Sequence, residues 1–291
     1  MIPLLMTALA PVLWSTGALG VRLVESGAWT MVFWRSFFMA IFLLGASRVA
    51  LGREFLPRFR ETAVNGIWVG VFIALSLILY VFSVTKTTVA DSLLVQATGP
   101  MFIIVLGWIL LGEPVRRVTI VALIAVIIGI GLIMVPSISR GGFSGNLLGM
   151  LKALAFAAAT LVIRKKRSVA LLPAVALAAV LSATVSALFA DTLAVPPQEL
   201  LIFAYLGLFQ TGLAFTLHAN YSGRLPASQT GILVLLESIL GPLWVWVFLG
   251  EKPPSLTLLG GLIIITTLVI HTLLYYASDR KPASPKSAAA T

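Results

Sequence analysis

The residues best placed to do chemistry are ionisable groups set inside apolar sequence. Glu237 lies within LVLLESILGPLWVWVFL, about ten residues into its apolar run. At a rise of about 1.5 Å per helical residue, that depth is near the middle of a bilayer. A carboxylate there is costly unless it is paired, protonated or facing water. Three roles stay open for it: holding a substrate ammonium, carrying a transported proton, or bonding a neighbouring helix in its protonated form. Gly241 and Trp244 follow at four and seven residues and share its helical face. His218 comes one turn after Phe215 and Ala214, with Thr211 on the same face and Asn220 and Tyr221 following. That cluster either lines a cavity mouth or is an interfacial histidine beside an aromatic belt. His271 reads as structural. Lys152 falls six residues into an apolar segment, where its long stem is expected to carry the ammonium toward the nearer surface.

Other kinds of chemistry lack their residues. The chain has no cysteine, which excludes disulfides, thiolate metal sites and a cysteine nucleophile. There is no phosphate-cradling G-x-x-x-x-G-K-[ST], so the chain does not drive itself with ATP. H-E-x-x-H and G-x-S-x-G are absent, and two distant histidines make no zinc site alone. No cofactor and no metal are expected. Glu113 and Glu251 lie at segment ends where charge reaches water, and read as structural boundaries. Gly66-x-x-x-Gly70 and Gly145-x-x-x-Gly149 permit close helix approach and carry no chemistry.

The elements that position these groups must be membrane helices. Of 291 residues, 59% are hydrophobic and 10% charged, and the mean hydropathy is +1.06. Soluble domains have about 45–50% apolar and about 25% charged residues, which excludes a soluble enzyme. Ten apolar segments stand out, at about 3–21, 28–47, 62–84, 89–111, 117–136, 146–163, 170–190, 198–218, 228–249 and 256–276. Arg48 to Glu61, with four arginines and two glutamates, is too polar for hydrocarbon and is expected to be a loop separating the second from the third. Thr88 and Asp91 have capping-box spacing at the start of the fourth. Pro196-Pro197 opens the eighth, where a missing N–H costs little. Pro11, Pro100 and Pro242 interrupt the first, fourth and ninth, freeing backbone groups for binding or hinging. The first segment lacks a basic flank and a cleavage site, so it is expected to be retained. The tail from Ser278 is polar and rich in Pro, Ala and Ser, and is expected to be disordered.

Charge sets the orientation. With the N-terminus inside, 14 of the 20 Lys and Arg fall on the cytoplasmic side and four on the other, with Arg35 and Lys152 inside segments. This bias predicts ten helices with both termini cytoplasmic. It also absorbs the net charge of +10, which otherwise suggests nucleic acid.

A repeat runs through the chain at a shift of 138 residues. Leu111-Gly112-Glu113 falls on Leu249-Gly250-Glu251, Trp108 on Trp246, Tyr80 on His218 and Lys86 on Arg224. Five helices per half is an odd number, so the halves, 1–138 and 145–277, must insert with opposite topology. Such inverted repeats build secondary transporters, with the substrate site near the midplane between them.

The ten spans, the five-plus-five duplication and the signatures W-I-L-L-G-E-P and W-V-F-L-G-E-K-P resemble the drug/metabolite transporter superfamily, EamA type. Phe33-Trp34-Arg35 fits the same pattern, and Leu235 to Trp244 is similar to the YddG-like aromatic amino acid exporters within it. The resemblance implies that spans 1, 3, 4, 6, 8 and 9 surround a central cavity, with 2, 5, 7 and 10 outside. It makes Arg35 a structural arginine, one whose counterpart in span 7 this sequence lacks. On the cavity spans, Trp14, Tyr80, Phe156, Phe215 and Trp244 would supply aromatic surface. Gln96, Pro100, Thr211, His218, Glu237 and Gly241 complete the expected substrate site.

The fold expected is therefore all-α and integral to the membrane: ten transmembrane helices in two inverted five-helix repeats around a central cavity. The function expected is a secondary transporter exporting small metabolites by alternating access, above all aromatic and other bulky amino acids, from a bacterial inner membrane. A nucleotide-sugar or sugar-phosphate carrier of this fold would want several cavity-facing cations for phosphate. A membrane enzyme would need converging acids, bases or metal ligands near one interface, and the sequence offers none. The partners expected are an amino acid and the lipid bilayer, not nucleic acid, with the protein a monomer or homodimer.

Overall fold

The structure, a computed structural model, describes residues 2–165 and 171–279. The expected disorder of the tail lies outside the described residues from 280 onward. Among the described residues there is no strand, and ten spans are long and apolar enough to cross a membrane. Span 1 is α1 (Ile2–Ser15) continued by α2 (Gly17–Arg22). Span 2 is α3 (Ala28–Leu51), which leads through α4 (Phe55–Asn65) into span 3, α5 (Ile67–Lys86). Span 4 comprises α6 (Val89–Gln96) and α7 (Gly99–Leu111). Spans 5, 6 and 7 are α8 (Arg117–Ser139), α9 (Phe143–Lys165) and α10 (Leu171–Phe189). Span 8 joins α11 (Pro197–Tyr205) to α12 (Ala214–Tyr221) through a π-helical stretch, Leu206–Leu213. Span 9 is α13 (Ala227–Val234) and α14 (Leu236–Leu249), and span 10 is α15 (Ser255–Asp279). The protein is an integral membrane protein.

Two local expectations need correction. The Arg48–Glu61 stretch is helical: it holds the end of α3, a tight turn at Gly52–Glu54 and most of α4. Helical spacing turns Phe59 and Thr62 of α4 inward while Arg58, Arg60 and Glu61 stay exposed, so the stretch lies along the bundle. Nor do the prolines coincide with the interruptions. Span 1 breaks at Thr16, five residues past Pro11, and span 9 breaks at Leu235, seven before Pro242. Pro100 instead sits in the first turn of α7, after the break in span 4 at Ala97-Thr98. The Thr88 cap forms, its Oγ1 accepting from the Asp91 amide at 3.1 Å. Asp91 does not complete the box, because its carboxylate bonds Arg140 and Thr257.

The 138-residue shift is visible in the backbone. The breaks at Ala97 and Leu235 stand at that spacing, as do the left-handed Gly112 (φ 66°) and Gly250 (φ 72°) that end α7 and α14. A side chain is strained at such a φ, so glycine at both positions ends both helices in the same way. Exchanging each span for the one five later carries packing pairs onto packing pairs. Spans 3 and 6 map to 8 and 1, 2 and 8 to 7 and 3, and 4 and 6 to 9 and 1, while the pairs 2–7, 5–10 and 4–9 map onto themselves.

The two ends of the bundle differ. At the end bearing the loops after the odd-numbered spans, α6 packs on α14 and α14 on α2. Arg22 pairs with Glu251 at 3.2 Å and donates to the Thr87 carbonyl at 2.7 Å, and Glu251 accepts from the Val89 amide at 2.7 Å. Arg140 pairs with buried Asp91 at 3.1 Å. This end is closed. At the end where α15 finishes, α7 and α13 part around a cavity of about 700 Å3.

Candidate functional site

Between the ends lies a central cavity of about 290 Å3. It shares Pro100, Ile103, Gly231 and Leu235 with the larger cavity, so the two are continuous past the breaks of spans 4 and 9. Spans 1, 3, 4, 6, 8 and 9 line it, joined by Arg35 from span 2, which the family resemblance placed outside.

Of the residues expected from sequence, the fold brings eight to this cavity: Trp14, Tyr80, Gln96, Pro100, Phe156, Thr211, Phe215 and Glu237. It sets three elsewhere. His218 lies behind the wall, its ring 5.3 Å from that of Trp14. Gly241 packs against Leu93 of α6, and Trp244 donates Nε1–H to Ser15 Oγ at 2.9 Å. Four and seven residues beyond Glu237 amount to about 6 and 10 Å along α14, which carries both past the cavity into the closed end.

Arg35 and Lys152 both line the cavity rather than serving only packing or reaching a surface. The Arg35 guanidinium carbon is 4.8 Å and the Lys152 Nζ 5.8 Å from the centroid of the Tyr80 ring. Lys152 does not snorkel because it faces inward, its Nζ set against the Tyr80 ring of span 3. Gln210 carried no signal as an uncharged residue in an apolar segment. It reaches the cavity from the π-helical stretch, whose extra residue per turn re-aims side chains and often marks functional sites. Thr211 stabilises that stretch by donating to the carbonyl of Leu206, five residues back, at 2.7 Å.

The hydrogen bonding of the wall is half complete. Gln96 Nε2 is held by Ser92 Oγ at 2.7 Å and Gln210 Nε2 by the Trp14 carbonyl at 3.0 Å. Five buried atoms of the lining have no partner: Gln96 Oε1, Gln210 Oε1, Tyr80 Oη, Arg35 Nε and Trp14 Nε1. Each such atom, left unsatisfied in a buried site, costs about 1–3 kcal/mol. Two are acceptors, two are donors, and the tyrosine hydroxyl is both. With one carboxylate, Glu237, and two cations, Arg35 and Lys152, in its lining, the wall is complementary to a molecule carrying both a cation and an anion. Trp14 and Phe215, with ring centroids 5.2 Å apart, and Phe156 supply flat apolar surface for the rest of it. Among the described residues no three His, Asp or Glu side chains are grouped to hold a metal.

A model of the EamA-like transporter family matches residues 1–135 and again residues 143–273. The pseudopaline exporter CntI of Pseudomonas aeruginosa (strain UCBPP-PA14) is 24% identical over 235 residues, 78% of this chain and 78% of the exporter. An uncharacterized transporter of Clostridium kluyveri is 22% identical over 235 residues, 75% of this chain and 73% of that one. A crystal structure with 21% sequence identity superimposes with a TM-score of 0.66, covering 94% of this chain and 97% of the other.

Proposed function

The chain belongs to the EamA-like transporter family, and on that premise we propose that it exports amino acids or compounds built on them across a bacterial inner membrane. The observation that carries this reading is one cavity lined by a carboxylate, Glu237, by two cations, Arg35 and Lys152, and by aromatic rings. In this reading the carboxylate of an α-amino acid meets Arg35 and Lys152, its ammonium meets Glu237, and its side chain lies on Phe156 and Phe215. Bulky, aromatic side chains fit that surface best. A relative named as an exporter of an organic metabolite accords with the direction.

The two halves act as inverted repeats about this site, with both termini cytoplasmic, as the distribution of Lys and Arg supports. The structure is then the inward-open member of a pair. Exchange to the outward-open state closes α7 on α13 and parts α6 from α14 about the breaks at Ala97 and Leu235.

Ligand-induced stabilisation tests the reading on purified protein, since a ligand that binds only the folded state raises the melting temperature with concentration. Phenylalanine or tryptophan is expected to do so, and a hexose phosphate to leave it unchanged. Stabilisation by the sugar phosphate alone would replace this reading with a phosphate carrier.

A further inference from the structure

The charges lining the central cavity do not balance: Arg35 and Lys152 face one carboxylate, Glu237. Both cations are held against the same tyrosine ring, and no carboxylate oxygen among the described residues lies within 4.0 Å of either. Arginine stays protonated in proteins, and like charges brought together away from water repel strongly. A simple zwitterion brings no net charge and leaves the surplus in place. A ligand with one ammonium and two carboxylates removes it, one carboxylate for each cation and the ammonium for Glu237. We propose that the preferred substrate class is an amine bearing two carboxylates and a bulky apolar group, net charge −1, rather than a neutral aromatic amino acid. This rests on the reading of the cavity as an amino acid site and narrows it.

A matched series tests it by competition binding to the detergent-purified protein: phenylalanine, N-carboxymethyl-phenylalanine, 3-phenylpropanoate and benzylmalonate. Each added charge-assisted hydrogen bond is expected to strengthen binding about tenfold to a hundredfold, so N-carboxymethyl-phenylalanine should lead phenylalanine by that margin. Benzylmalonate, without the amine, should fall behind it. Lys152→Gln, which keeps a polar side chain and removes the charge, should weaken N-carboxymethyl-phenylalanine far more than phenylalanine and so close the gap between them. Phenylalanine binding as tightly as its N-carboxymethyl derivative, with Lys152→Gln weakening both alike, would overturn the charge argument and leave the amino acid site standing. Binding of none of the four would overturn both.

The repeat carries a second inference independently. Glu251 follows the left-handed Gly250 at the end of α14, pairs with Arg22 at the end of α2, and accepts from the first amide of α6, Val89. Its counterpart Glu113 follows the left-handed Gly112 at the end of α7 and pairs at 2.6 Å with Arg164 near the end of α9. The residue 138 after Val89 is Ala227, the first of α13, a helix that borders the same open cavity as Glu113 and Arg164. We infer that Glu113 is the latch of the inner gate and caps the N-terminus of α13 when that end closes, as Glu251 caps α6 here. This rests on the two-state exchange proposed above.

The absence of cysteine gives a clean background for a single-cysteine assay. In Thr272→Cys, a label in the open cavity, the rate of alkylation by a polar maleimide reports opening of that end. Glu251→Gln should slow it by favouring closure there, and Glu113→Gln should raise it by several-fold, each with melting temperature little changed. If Glu251→Gln slows labelling while Glu113→Gln does nothing, the latch is wrong and the exchange stands. If neither moves it, the exchange itself is wrong.

Discussion

Glu237 is the residue whose role the structure narrows most. It lines the central cavity beside aromatic rings, and no Lys or Arg nitrogen among the described residues lies within 4.0 Å of it, which suits a cationic ligand better than a helix contact. Glu237→Gln keeps shape and hydrogen bonding but removes the charge. A hydrogen bond to a charged group contributes about 1.5–3 kcal/mol, so apparent affinity should fall about tenfold to a hundredfold with little loss of folded protein. Unchanged affinity, with a lower melting temperature, would return it to a packing role. This residue could be picked from sequence because a charge in a long apolar run has few explanations. Arg35 and Lys152 have the same signature, yet snorkelling and packing explain a cation as readily as a site does, and only tertiary placement separates these. Gln210 was hidden because an uncharged amide is cheap enough in a helix to raise no alarm, and its exposure to the cavity depends on a π-helical stretch that no sequence period announces.

The helices themselves were plain, since hydrophobic length alone fixes where a membrane helix begins and ends to within a few residues. Their interruptions were not, because the sequence marks prolines, whereas the backbone breaks where neighbouring helices hold it. Beyond the break at Leu235, Gly241 of α14 meets Leu93 of α6. A Cβ built on Gly241 would overlap the Cδ1 of Leu93 and lie 3.4 Å from the Ser15 carbonyl oxygen, so a side chain there must displace Leu93 for the end to stay closed. Gly241→Val overpacks that contact at a cost of about 1–3 kcal/mol. The expected outcome is a shift of population toward the state in which α6 and α14 part. Buried Ala18, replaced by cysteine, would then be alkylated faster, and Leu93→Ala in the same chain should restore the slow rate. Equal alkylation with and without Gly241→Val would show that this contact does not hold the end closed.

Taken whole, the family model matches the chain twice, over 1–135 and 143–273, and Gly112 and Gly250, 138 residues apart, end their helices in the same left-handed turn. Orientation follows from charge: reporters fused in the Arg48–Glu61 stretch should read as cytoplasmic and one fused at Arg140–Ser144 as periplasmic. A cytoplasmic reading at Arg140–Ser144 would remove the inverted-repeat argument. The central claim is that this bundle carries amino acids through one charged, aromatic cavity. Counterflow in proteoliposomes tests it most directly, with unlabelled phenylalanine or its N-carboxymethyl derivative inside and the same compound labelled outside. The account predicts transient accumulation of label with the native protein and about tenfold less with Glu237→Gln at limiting substrate. No accumulation of either compound, with accumulation of a labelled hexose phosphate instead, would contradict it.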